Sequence, residues 1–433
     1  MKKTLLSTLV LLCAAGQAQA ENLLEIYQQA TQNDPQVREA KARRDAAFEK
    51  INESRASLLP QVDLSAGANY TQSNRDDQRT GTFTNAGVNL NQALYRKSNW
   101  VNLNITEKQA ALSEVSYKQI QQLLIVRATQ AYFNVLNAED ALSFVQSNKE
   151  AVSRQLEQTK QRFEVGLSAM TDVHEAQAQY DQALADEIIA RNALDNSKEA
   201  LRELTGMSYD RLAPLNTDSF SPQAPALRAD GWLEIALEQN LELHGQRINK
   251  DIANEQIDLA QTGHLPTLDL NAGLNSTHSD YKNANQGDGT LNEGTIGVSF
   301  NLPIYSGGAT SSQISQAQYN YVAASELLEK SFRSVQSSVY SSYNDVTGAL
   351  GSIRAFEQLV ISAESALSAT EAGYEVGTRT IVDVLNATRQ LYDAKQKLSS
   401  ARYNYIINQL QLKQAAGNLT EQDLTDINNG LQR

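Results

Sequence analysis

Of 433 residues only one is cysteine, Cys13, and it falls within the first 20. A disulfide scaffold and a cysteine-based metal site are therefore both excluded. Proline is scarce at 7 residues, and the four histidines, His174, His244, His264 and His278, show no HExxH or other ligand spacing. No GxxxxGK[ST] or GxGxxG run follows a strand pattern, and Gly307-Gly308 after Tyr305 reads as a strand-to-helix turn. Nothing places a nucleophile beside a base, so the sequence lends no support to an enzyme and implies no cofactor. Cations are in the minority, 37 Lys and Arg against 50 Asp and Glu for a net charge of −13. Nucleic acid is a poor partner for such a chain, because counterion release needs clustered cations facing phosphate. Long hydrophobic runs are missing too. At 41% apolar residues and a mean hydropathy of −0.45, a bundle of membrane-spanning helices, each needing ~20 apolar residues, is excluded.

The one short apolar run, Leu5 to Ala15, follows Lys2 and Lys3 and precedes Ala18-Gln19-Ala20. That layout predicts a secretory signal peptide over residues 1–20, cleaved before Glu21. Leu12 stands before Cys13 where a lipoprotein would carry a small residue, so Cys13 is expected to leave with the signal. An exported chain without cysteine must gain its stability from packing or assembly.

What is present is an internal repeat. Leu24-Glu25-Ile26 recurs as Leu233-Glu234-Ile235, and Leu59-Pro60-Gln61-Val62-Asp63-Leu64 as Leu265-Pro266-Thr267-Leu268-Asp269-Leu270. Asn91 to Tyr95 matches Asn301 to Tyr305, and Glu164-Val165-Gly166 matches Glu375-Val376-Gly377, with Asp172-Val173 and Asp383-Val384 following in register. The expected organisation is a first repeat over 21–207, a linker over 208–231 holding Pro214, Pro222 and Pro225, a second repeat over 232–417 and a polar tail over 418–433.

Each repeat reads as a helix, two strands and then very long helices. Val62, Leu64, Ala66, Ala68 and Tyr70 alternate with polar or small residues, as do Ile296, Val298, Phe300 and Leu302. The alternation predicts strands at about 60–72, 82–95, 266–276 and 294–305. Over ~10 residues it fits a transmembrane β-strand and equally a soluble antiparallel sheet. The segments Thr71–Thr82 and Asn275–Gly294, rich in Asn, Asp, Gly and Thr, read as surface loops. From Ser98 to Arg162 there is neither Pro nor Gly, room for a helix of roughly 100 Å. Leu124, Ala128, Ala131, Val135, Ala138, Leu142 and Val145 step by four and three, continuing through Lys149 to Val152, Leu156, Thr159 and Phe163. Val384, Ala387, Leu391, Ala394, Leu398, Ala401 and Tyr405 repeat the step. A sustained 3.5-residue period is a coiled-coil seam.

Four strands cannot close a membrane barrel, which starts at about eight, and an open sheet in lipid leaves unsatisfied edges. If these strands span a membrane, several chains must share one barrel. A structural or adhesive coiled-coil protein of the cell envelope is the alternative, although a fibre needs no twofold internal repeat.

The whole mature pattern, and most specifically Gly373-Tyr374-Glu375-Val376-Gly377-Thr378-Arg379-Thr380-Ile381-Val382-Asp383-Val384-Leu385, resembles the TolC family of outer-membrane efflux proteins. The resemblance implies a mainly α protein with membrane β: a homotrimer in which each chain gives four strands to a 12-stranded barrel continuous with a periplasmic α-helical barrel. It implies an exit duct in the outer membrane of a Gram-negative cell, embedded in its lipid, for drug efflux and type I secretion. A periplasmic adaptor and an inner-membrane transporter of RND or ABC type would be its partners, and partner-induced untwisting of the helix tip would open it.

By the same resemblance, Tyr374 and Arg379 form the movable side of a tip latch whose partners are Thr171 and Asp172, with Gln155 and Glu371 as a further pair. The Arg379 fork can serve a carboxylate, at ~0.2–1 kcal/mol per exposed pair. On the residues alone, Arg379 and Asp172 read better as ordinary solvated charges at helix ends. Asp383 is implied to face the pore, where threefold symmetry makes a carboxylate ring able to bind multivalent cations. The family's second aspartate, one turn on, is here Asn386, so weaker cation block is expected. Gly166 and Gly377 are predicted helix C-caps with positive φ. Val165, Gly166, Leu167, Val376, Gly377 and Thr378 are the implied adaptor contacts, and they fit a purely structural turn equally.

Overall fold

The computed structural model of the chain describes residues 20–72, 80–282 and 289–432. The predicted signal peptide, except Ala20, lies outside the described residues, as do 73–79 and 283–288 within the two predicted surface loops. The chain divides into two compact units that cut across the repeats: one from 1–39, 119–240 and 334–433, the other from 40–118 and 241–333.

The second unit holds one antiparallel sheet in the order β1 (Gln61–Thr71), β2 (Gly81–Tyr95), β3 (Thr267–Tyr281), β4 (Gly289–Asn301). Its register aligns the alternation across every ladder. Val62, Leu90, Ala272 and Ile296 form one row, Leu64, Val88 and Leu274 the next, and Leu270 pairs with Val298, Leu268 with Phe300. Asp63, Asn89, Gly273 and Thr295 form a row on the opposite face. One face thus carries an apolar band, bounded by Gln92, Ser276 and Asn292 on the same face, and its Leu64, Leu274, Ile296, Val298 and Phe300 are exposed. A slip of one residue in any ladder would scatter these side chains over both faces. Tyr70 toward one end of the strands, Tyr95 at the last position of β2, and Trp100 and Tyr305 beyond that end are exposed aromatics. Among the described residues, β1 and β4 each pair on one side only.

The second hairpin departs from the sequence expectation. β3 extends to Tyr281 and β4 runs over 289–301 instead of 294–305, because the β3–β4 ladder continues to Ser279 and Gly289. Backbone pairing carries Ser, Thr, Asn and Gly residues whose side chains show no alternation. At the other end Pro303 has no N–H to donate, and the strand stops before it.

In this unit α2 (Pro35–Ala56) and α6 (Leu241–Gln261) lead into the strands, followed by the opening turns of α3 (Lys97–Glu164) and α7 (Ala309–Glu375). Val101 and Ile105 of α3 pack on Ile252 of α6. Both repeats split the single expected leading helix in two. α1 (Leu23–Asn33) ends where Asp34 N–H donates to Ala30 O at 2.8 Å and Pro35 opens α2, a proline serving at the first helical position. Asp34 is buried, accepting from Gln36 N at 2.7 Å and from Arg127 Nη1 at 2.8 Å. α5 (Ala229–Gln239) ends likewise at Asn240, whose Nδ2 donates to Ala415 O at 2.8 Å.

The first unit is built on the remaining lengths of α3 and α7 with α4 (Met170–Thr205) and α8 (Ile381–Ala416). Most of the predicted seam faces inward: Leu124, Ala128, Val135, Val152, Leu156 and Thr159 are buried, as are Val384, Ala387, Leu391, Ala394, Ala401 and Tyr405, whereas Ala131, Ala138, Leu142, Val145 and Leu398 are half-buried and Phe163, in the last turn of α3, is exposed. Lys149, a charge on that seam, meets Glu187 of α4 at 2.5 Å, and Glu187 also accepts from Gln146 and Arg191. Farther along, Phe133 of α3 stacks on Tyr403 of α8, while Asp140 accepts from Ser399 and from Tyr403 Oη. The tail is ordered over its described length: α9 (Glu421–Asn428) buries Leu424, and Asp423 pairs with Lys413 of α8.

Candidate functional site

The residues singled out from the sequence gather where α3 turns into α4 and α7 turns into α8. Both turns have the same backbone. Gly166 and Gly377 each have φ of +79°, a region open to glycine without a Cβ penalty. At the first turn Leu167 N donates to Arg162 O at 2.8 Å and Gly166 N to Phe163 O at 2.9 Å. At the second, Thr378 N donates to Gly373 O at 2.8 Å and Gly377 N to Tyr374 O at 3.1 Å. This paired pattern closes a helix C-terminus with a Schellman motif. Nothing stands within 4 Å of a Cβ built on either glycine, so the backbone conformation alone selects glycine there.

Each turn then launches a helix from a carboxylate in its first turn. Asp383 Oδ2 accepts from Thr380 N and Thr380 Oγ1, both at 2.9 Å, while Asp383 N donates back to Thr380 Oγ1 at 3.3 Å, a reciprocal capping box. The Thr380 backbone and hydroxyl bonds, aided by the Arg379 charge, hold the Asp383 carboxyl below its ordinary value. Asp172 makes the same move more weakly, accepting from Ser168 Oγ at 2.8 Å and Ala169 N at 3.3 Å. Asn386 is half-buried three residues after Asp383, on the same helix face.

Between the turns lies an apolar core of which the sequence pattern marked only the two seam residues of α3. Val152 and Leu156 of α3, Ala176 of α4, and Ile381 and Leu385 of α8 form one buried cluster, with Tyr180, Tyr374 and Val382 packed against it. Tyr374 is therefore tied to the other helices by its ring, and the Arg162 guanidinium stands 4.5 Å from the ring centroid. Among the described residues no hydrogen bond or ion pair joins Arg379 to Asp172 or Gln155 to Glu371. Gln155 Nε2 is buried without a hydrogen-bond partner, whereas Glu371, Thr171 and Arg379 are exposed. The Arg379 stem lies against Gly373, where an added Cβ would come within 2.7 Å of Arg379 Cγ. Gly373 and Arg162 are thus site residues that spacing gave no signal for, since their partners are remote in sequence or appear only once the turn is formed.

Three exposed side chains at the turns are apolar. Val165 is 70% exposed, Leu167 75% and Val376 75%. Gly166, Gly377 and Thr378 are exposed beside them.

The family model for outer membrane efflux proteins matches residues 26–207 and 232–418. The chain belongs to that family. It is 52% identical over 415 residues to the outer membrane protein TolC of Vibrio cholerae, covering 95% of this chain and 94% of that protein. It is 30% identical to the protease secretion protein PrtF of Dickeya chrysanthemi, covering 98% and 94% of the two chains. In fold it is similar to the crystal structure of the Campylobacter jejuni CmeC outer membrane channel, with a TM-score of 0.78, 18% identity and coverage of 95% and 90%. For an outer membrane efflux protein, the apolar face of the sheet has an evident counterpart in lipid, although no described helix is long and apolar enough to cross a membrane.

Proposed function

We propose that the chain is an outer-membrane channel, the exit duct of efflux and type I secretion systems, working as a homotrimer. The observation that carries this reading is the sheet: four strands with an exposed apolar band on one face and, among the described residues, two edges without partners. In hydrocarbon each unpaired backbone group costs several kcal/mol, so β1 of one copy and β4 of another complete a closed barrel. The family is that of outer membrane efflux proteins and one named relative is a protease secretion protein, which leaves an adhesive envelope fibre without support. Residues 1–20 direct export and are removed.

The two helix turns form the entrance. Three copies of Asp383 make a carboxylate ring, kept ionised by the Thr380 cap, that attracts cations and is blocked by multivalent ones. Asn386 supplies no second ring. Tyr374 and Arg379 close against Thr171 and Asp172, and the unpartnered Gln155 amide takes Glu371 as its acceptor. A periplasmic adaptor docks on Val165, Gly166, Leu167, Val376, Gly377 and Thr378, where apolar side chains stand in water. An inner-membrane transporter of RND or ABC type supplies the energy, and untwisting of the helices opens the entrance. The duct itself performs no chemistry.

Native mass spectrometry and planar-bilayer conductance of detergent-purified protein test the reading. Trimers with small cation-selective openings, blocked by a trivalent cation and freed by Asp383→Ala, are expected. A pore indifferent to Asp383 would move the constriction elsewhere, and trimers without conductance would overturn the duct.

A further inference from the structure

The two turns are related by the internal repeat, so each residue of one has an equivalent in the other. Arg162 corresponds to Gly373 and Phe163 to Tyr374. Equivalent positions would cross-link symmetrically if both carried side chains, but only one of the two links exists. Arg162, at the end of α3, reaches the Tyr374 ring at the end of α7. Gly373 has no side chain to return the contact, and Phe163 is left 41% exposed.

The far end of this link is attached to the machinery of the second turn. Gly373 O, immediately before Tyr374, accepts from Thr378 N at 2.8 Å, Arg379 N at 3.2 Å and Thr378 Oγ1 at 3.0 Å. Arg379 rests on the Gly373 backbone so closely that a Cβ would not fit. The Tyr374 ring, meanwhile, packs on the cluster of Val152, Leu156, Ala176, Ile381 and Leu385. The Gly373 carbonyl that holds Thr378 and Arg379 is thus next in the chain to a residue whose ring is held on both sides, by this cluster and by Arg162.

We infer that Arg162 is a positioning residue of the entrance: through a cation–π contact it fixes Tyr374, and with it the Gly373–Arg379 turn, to the end of α3. The link is one-sided, so moving α7 and α8 away from α3 breaks it while the first turn keeps its own bonds. Because guanidinium stacks on a ring face and does not require a phenol oxygen, the contact depends on aromaticity at 374 and on cationic charge at 162.

The inference rests on the duct reading, and two readouts keep them separate. Planar-bilayer conductance reports the open population, and a fluorinated tyrosine placed at position 374 reports the surroundings of the ring by fluorine NMR whether or not a pore forms. Arg162→Gln is expected to move the fluorine resonance and to raise the open population ~2- to 5-fold, the range of an exposed cation–π contact. The same rise is expected in a Tyr374→Phe background, and none in a Tyr374→Leu background. Arg162→Lys, which keeps the helix and the charge, should fall between wild type and Arg162→Gln. An unmoved resonance, or a moved one with unchanged gating, overturns the inference and leaves the duct standing. Wild-type protein without conductance overturns the duct, and the resonance alone then decides whether Arg162 positions Tyr374.

Discussion

The turn at Gly166 and the turn at Gly377 follow one backbone path with different side chains. Both use a glycine at φ of +79° and the same pair of carbonyl closures. Yet the first is capped through Ala169, which has no side-chain acceptor, and the second through Thr380. The first ends α3 with Arg162 and Phe163, the second ends α7 with Gly373 and Tyr374. Farther up the helices, the seam of the first hairpin holds Lys149 and Glu187, where the repeat places Val360 and Leu398. The lesson is that helix geometry requires only a glycine and a cap, so the repeat preserves the turn while the side chains around it diverge toward separate duties.

The largest test of this comparison uses a third turn of the same kind. Gly417 closes α8 with φ of +82°, but a Cβ there would stand 2.4 Å from Gln239 O and 2.6 Å from Asn240 Cα. Gly417→Ala is expected to cost about 2–4 kcal/mol, from overpacking against backbone plus positive-φ strain. Gly166→Ala and Gly377→Ala meet nothing and should cost only about 1–2 kcal/mol. Denaturant unfolding in detergent measures all three, and equal costs would mean that packing is irrelevant at Gly417.

Next in size is an exchange between the hairpins. Lys149→Val alone leaves the low-lying Glu187 carboxylate among helix neighbours with its main partner gone, and the thermal midpoint should drop. Lys149→Val with Glu187→Leu gives the first hairpin the residues of the second and should recover the loss, since a paired charge and an apolar pair are often interchangeable. If the double variant is no better than the single one, the two hairpins are not equivalent frames.

A smaller effect attaches to the caps. Thr380→Ala, which reduces the second cap to the form of the first, should cost ~1 kcal/mol, and Ala169→Thr should return a similar amount. The smallest is a pH dependence. The Asp383 carboxyl titrates below its ordinary 3.8, so the stability it lends is complete above about pH 4 and is lost as pH falls through the lowered value. The stability difference between wild type and Asp383→Asn should be constant above that pH and shrink below it. A difference that grows on acidification would contradict the cap geometry.

Much of this architecture was legible before any coordinates. The 3.5-residue seam named the buried face of α3 and α8, glycines marked the turns, and alternation located four strands. Thr420-Glu421-Gln422-Asp423 and Asp34-Pro35 also carried start signals for α9 and α2, which the reading of a polar tail and of one leading helix passed over. The length of the β3–β4 hairpin was not legible, because ladder hydrogen bonds run between backbones and leave no trace in side-chain pattern.

By itself the sequence determined where the long helices, the four strands and the glycine turns lie, though not the length of every element, since these depend on periodicity and on the local conformational rules for glycine and proline. Only the tertiary structure decided that Tyr374 sits under Arg162, that Ile381 and Leu385 join Val152, Leu156 and Ala176, and that Lys149 meets Glu187. Those are contacts between side chains remote along the chain. Their existence depends on how long helices are brought alongside one another, a matter of three-dimensional packing that no local pattern encodes.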